Sequence, residues 1–144
     1  MSLTSYALLL TLSCGFALWR GGWPERSAAA LIIAGWGLSM LIDLPLAIRY
    51  FSVSGAIAAI DFGMMVGFAV LALRADRYWP IIMAALQLVM ILGHLIKWLD
   101  SELIRRTYII LIAYPAWLHL LVLMVATIRH KRRSAMAGPQ SAIT

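Results

Sequence analysis

Apolar residues run through this chain in five long blocks separated by short polar breaks, at residues 2–19, 27–48, 52–73, 78–97 and 107–128. Each block approaches or exceeds the roughly 18 to 20 residues needed to cross a hydrocarbon core. Inside lipid the backbone has no water to bond, so such blocks cross as helices, whose amides and carbonyls satisfy one another. The pattern predicts an all-α integral membrane protein, a bundle of five transmembrane helices forming a single domain over residues 1–133. Residues 134–144, with Gly138, Pro139 and several small polar side chains, read as a disordered tail.

Composition agrees and narrows the class. Hydrophobic residues make up 63% of the chain and charged residues 12%, where a soluble protein carries about a quarter charged. The polar breaks around 20–26, 74–77 and 98–106 are too short to bury cores of their own. A single cysteine, Cys14, excludes an intramolecular disulfide and a cysteine metal cluster, and reads as a packing residue. No small-residue cleavage site follows the first block, which is therefore kept as a helix rather than a signal peptide.

The net charge of +6 reports topology and not a nucleic-acid partner. Arg20, Arg26, Arg74, Arg77, Arg129, Lys131, Arg132 and Arg133 fall at one set of helix ends, against Arg49, Lys97, Arg105 and Arg106 at the other. The positive-inside rule then places the C-terminus in the cytoplasm and the N-terminus outside, in what is expected to be a bacterial cytoplasmic membrane. Trp19, Trp23, Tyr78 and Trp79 would line the inner interface, and Tyr6, Tyr50, Trp98 and Tyr108 the outer one. Pro24 and Pro80 suit helix starts, whereas Pro45 and Pro115 lie within apolar blocks and should bend their helices.

Small and polar residues mark the expected contacts. Gly55, Ala59, Gly63 and Gly67 recur every four residues in the third block, and Gly35, Ser39, Asp43 and Ala47 do so in the second. Such rows let helices approach closely, so they read as a packing seam between these two helices, with self-association as the alternative. Asp61 projects away from its own glycine row, deep in the membrane, where a charge costs about 2.5 to 3.5 kcal/mol without a partner. On the fourth helix Met83, Gln87, Met90, His94 and Lys97 share one face, too polar for lipid. Folding the fifth helix back places His119 near Gln87 in depth. It leaves His94 near the outer surface with Asp43, Arg49, Lys97 and Asp100, about 12 Å from His119 and too far to share a metal or haem.

These residues support several readings of function. The first is a non-enzymatic accessory or assembly component acting through helix–helix contacts, with other membrane subunits or copies of itself as partners. The second is a small permeation or ligand-binding protein whose path is lined by Asp61, Gln87 and His119, with Asp43 and His94 nearer its mouth. A holin-like pore former is the third. No nucleophile–base pair, metal set or cofactor motif accompanies them, so no enzyme, metal or cofactor is expected. The run Arg129, Lys131, Arg132 and Arg133 should attract anionic lipid head groups of the bilayer.

Overall fold

A computed structural model describes residues 3–42, 55–99 and 105–136. Among these the chain forms five helices and no strand: α1 Leu3–Arg20, α2 Trp23–Leu41, α3 Gly55–Arg74, α4 Trp79–Leu99 and α5 Arg105–Met136. Three are long and apolar enough to cross a membrane, namely α3, α4 and the Thr107–Met136 stretch of α5, with mean hydropathies of 2.2, 2.0 and 2.3. Of the five spans expected, then, three meet that measure. Helix α1 has only 18 residues and closes on Arg20. Helix α2 opens on Trp23-Pro24-Glu25-Arg26, whose charges dilute the apolar run, and the rest of that run, 43–48, lies outside the described residues together with Pro45 and Ala47.

Helix boundaries follow local chemistry. α2 begins ahead of its apolar block because the Glu25 carboxylate reaches back to accept the Gly22 N–H at 3.0 Å, closing a polar first turn. The α1–α2 turn is tight enough to need glycine: a Cβ on Gly21 would run into the Ala17 carbonyl and lie 2.7 Å from the Glu25 Cβ. α5 continues through Pro115 to Met136 as one helix of 32 residues. At 1.5 Å per residue it is about 48 Å long, well beyond an apolar core of about 30 Å. Residues 134–136 are thus helical, not the start of a disordered tail, and residues 137–144 lie outside the described set.

Each helix packs against its sequence neighbours, and α1 also packs against α5, with α2 touching α5 across the middle. The five helices therefore close into a ring-like bundle. Its apolar core lies toward the end carrying Arg20, Arg74 and Arg129, here called the basic end. There Cys14 and Ala17 of α1, Ala28 and Ala29 of α2, and Leu120 and Leu123 of α5 are buried together. Small side chains on α1 and α2 let those helices approach closely and make extensive van der Waals contact.

Helix α3 is the least enclosed of the three membrane-length helices, although its glycine row and Asp61 together suggest the opposite. Of its most apolar stretch 17% is buried, against 33% for α4 and 28% for α5. Gly55, Ala59 and Gly63 face outward, and a Cβ on Gly55 or Gly63 would meet nothing within 4 Å. The seam with α2 is made instead by Gly35, which receives Met64, and Gly67, which receives Leu31. Ser39 donates to the Gly35 carbonyl of its own helix at 2.9 Å. Another close approach, unmarked by any repeat, is Gly93 of α4 against Leu111 of α5, where a Cβ would stand 3.1 Å from the Leu111 Cβ.

Candidate functional site

Asp61 lies in the second turn of α3 and is buried, as are Gln87 and His94 on the enclosed face of α4. Its Oδ1 accepts a hydrogen bond from Gln87 Nε2 at 2.8 Å. Its Oδ2 stands 2.8 Å from His94 Nε2. The other ring nitrogen of His94, Nδ1, is 2.8 Å from the hydroxyl of Tyr108, in the first turn of α5. Gln87, Asp61, His94 and Tyr108 thus form one unbroken chain of side-chain hydrogen bonds that ties α3, α4 and α5 together.

Proton bookkeeping along this chain allows two charge states. With Asp61 ionised and His94 neutral, His94 Nε2–H donates to the carboxylate and Nδ1 accepts from the Tyr108 hydroxyl, so the cluster carries one negative charge. With one proton more, His94 donates from both nitrogens, the Tyr108 oxygen accepts, and Asp61 and His94 become a neutral ion pair at 2.8 Å. Moving between the two reverses one hydrogen bond and displaces no heavy atom.

His119 belongs to a separate site. Its Nδ1 faces the Pro115 carbonyl at 2.8 Å and its Nε2 the Met83 carbonyl at 3.1 Å, while its ring stacks on Phe68 with centroids 5.3 Å apart. Both facing atoms are acceptors, so a singly protonated ring satisfies only one of them. The side chain thereby pins α5 to α4.

The structure thus joins Asp61 to Gln87 and brings in His94, which the sequence reading placed at the outer surface. His119, which that reading set beside Gln87, lies one turn away, level with Met83. For His119 the reason is the register of the α4–α5 hairpin. His94 and Tyr108 are equally far along the chain from residue 101, as are Met83 and His119, so each pair shares a depth in the antiparallel hairpin. That symmetry is the signal that would have found Tyr108, which as an interfacial aromatic looked like part of the outer belt. Tyr6 is likewise turned inward, edge-on to Trp117 with ring centroids 5.6 Å apart. Asp43, Arg49, Tyr50 and Asp100 lie outside the described residues.

At the basic end Trp19, Trp23 and Tyr78 are exposed, and the Arg20 guanidinium sits 4.4 Å from the centre of the Trp19 ring. Arg129, Lys131, Arg132 and Arg133 are exposed on the last turns of α5. Among the described residues there is no group of three or more His, Cys, Asp or Glu side chains placed to hold a metal ion. Comparison with protein-family models, with curated proteins and with solved structures finds no match to this chain.

Proposed function

We propose that this protein is an integral component of a bacterial cytoplasmic membrane, with all five helices in the bilayer, the N-terminus outside and the C-terminus in the cytoplasm. In this reading it is no enzyme and acts through helix–helix contacts, as an accessory or assembly component of a larger membrane system. The observation that carries the reading is where the polar groups go. Asp61, Gln87, His94 and Tyr108 are hydrogen-bonded to one another inside the bundle, while the small residues Gly55, Ala59 and Gly63 face outward on the least enclosed membrane-length helix. A row of small residues open to lipid suits the close approach of a further transmembrane helix. The test is the size of the complex extracted in mild detergent. The wild type should run larger than one chain, Gly63→Leu should run as a monomer, and Val125→Leu, an exposed change on α5, should behave as wild type. Complexes of equal size in all three would remove the reading.

A second reading, in which the bundle holds and passes a proton, is favoured by the two-state hydrogen-bond chain of Asp61, His94 and Tyr108. The carboxylate and imidazole are bonded directly, and one further proton is accommodated without rearrangement. Loss of proton flux in proteoliposomes on Asp61→Asn, in a folded protein, would select it.

A further inference from the structure

Glu25 is the buried charged side chain that the bundle's interior chemistry leaves unused. It has no exposed surface. Its Oε2 accepts the Gly22 N–H and lies 4.0 Å from His130 Nδ1, but its Oε1 is buried without a hydrogen-bond partner. A carboxylate oxygen in that position calls for a donor. Glu25 forms part of the wall of a cavity of about 190 Å³, with Gly22, Arg74, Asp76, Arg77 and His130. At about 30 Å³ per water this is room for about six waters, the scale of a small polar group.

Three separate parts of the chain build the cavity: the α1–α2 turn, the α3–α4 turn and the last turns of α5. Glycine at position 22 is what lets them meet, since a Cβ there would stand 2.8 Å from His130 Cε1 and 3.1 Å from Glu25 Oε2. The site lies at the basic end, among the exposed Trp19, Trp23 and Tyr78, and such aromatic side chains settle at the depth of lipid head groups.

The lining has both signs of charge, two guanidinium groups and two carboxylates. An anion alone would leave Glu25 and Asp76 unmatched, and a cation alone would leave the arginines unmatched. We propose that this cavity binds the phosphoethanolamine head group of a membrane phospholipid, with the phosphate on Arg74 and Arg77 and the ammonium on Glu25 and Asp76. Guanidinium groups suit phosphate oxygens, and a primary ammonium brings N–H donors for Asp76 and, once its side chain turns Oε1 into the cavity, for Glu25. A choline head group has the same charges but no N–H, and a glycerol head group has no cation. The proposal rests on the membrane reading and is independent of any helix partner.

The test uses the full-length protein, purified in detergent and stripped of lipid. Binding of phosphatidylethanolamine, phosphatidylcholine, phosphatidylglycerol and free phosphoethanolamine is measured by native mass spectrometry. The ethanolamine lipid should bind about tenfold tighter than the choline lipid, the worth of one charge-assisted hydrogen bond. Glu25→Gln should reduce that preference, and Glu25→Gln with Asp76→Asn should erase it, while α2 stays capped because the amide oxygen still accepts the Gly22 N–H. Arg77→Gln should weaken both zwitterionic lipids. Should Glu25→Gln fail to fold, Asp76→Asn and the wild-type ratio carry the same test. Equal binding of the ethanolamine and choline lipids, strongest binding of the glycerol lipid, or a preference unchanged by Glu25→Gln would overturn the proposal. So would free phosphoethanolamine binding as tightly as the lipid, which would make the occupant a soluble molecule. None of these outcomes bears on whether Gly63→Leu dissolves the complex, so the two proposals fail separately.

Discussion

Replacing Asp61 by leucine removes the acceptor for two buried donors, Gln87 Nε2 and His94 Nε2, both at 2.8 Å. A stranded buried polar group costs about 1 to 3 kcal/mol in soluble proteins. Hydrogen bonds between membrane helices are worth less, about 0.6 on average and about 1.7 at most, because the unfolded chain in lipid also finds partners. Two lost bonds at that scale put Asp61→Leu at about 1 to 3 kcal/mol. Asp61→Asn is different in kind. Its Oδ1 still accepts from Gln87, and its amide can donate to His94 Nε2 once the imidazole carries its proton on Nδ1, from which it donates to the Tyr108 oxygen. Only the charge assistance is lost, about 1 kcal/mol. Equilibrium unfolding in mixed micelles of a mild detergent and dodecyl sulfate should therefore rank wild type above Asn and Asn above Leu. An Asn variant as damaged as Leu, or a Leu variant within about 0.5 kcal/mol of wild type, would show that this chain does not hold α3, α4 and α5 together. The same Asn protein in proteoliposomes also separates the functional readings, since an amide cannot take up and release a proton near neutral pH. Unchanged behaviour supports a structural carboxylate, and lost proton flux supports the relay.

Other substitutions probe the packing. With both proteins dissociated to single chains, Gly63→Leu should leave the melting temperature unchanged, because a Cβ there meets open space within the chain, whereas Gly93→Leu should lower stability by about 1 to 3 kcal/mol, because the Leu111 Cβ cannot swing away. Equal melting temperatures for these two variants would contradict the assignment of open and closed glycines. Tyr108→Phe removes the hydrogen bond to His94, whose loss should cost about 0.6 kcal/mol in the micelle titration. A loss as large as that of Asp61→Leu would mean that the hydroxyl holds more than His94. Reporter fusions at Ser2 and Thr144 should report from opposite sides of the membrane, the N-terminal one outside. Two reporters on the same side would reduce the spans to an even number.

Much of the bundle is legible one block at a time. Helix α4 shows why: Met83, Gln87, Met90 and His94 step by three and four, and the structure buries all four. A helical face too polar for lipid has to turn inward, whatever surrounds it. Cys14 is similar, a small buried thiol in the core, as its solitary place in an apolar block suggests. The placement of Asp61 was legible only in part, since a deep carboxylate announces that it needs a partner without naming one.

What the sequence determined alone is whatever depends on local chemistry and a fixed helical repeat: the helices, their approximate ends, the polar face of α4 and the need of Asp61 for company. Tertiary structure decided which residues meet. A shift of one turn between neighbouring helices moves every partner by about 5.4 Å, enough to set His119 level with Met83 rather than with Gln87, and close packing at positions such as Gly93 holds that register. It also decided which glycines are seams. Gly35, Gly63 and Gly67 look alike in a sequence, and only the packing of α2 on α3 fills the space beside Gly35 and Gly67 and leaves Gly63 open.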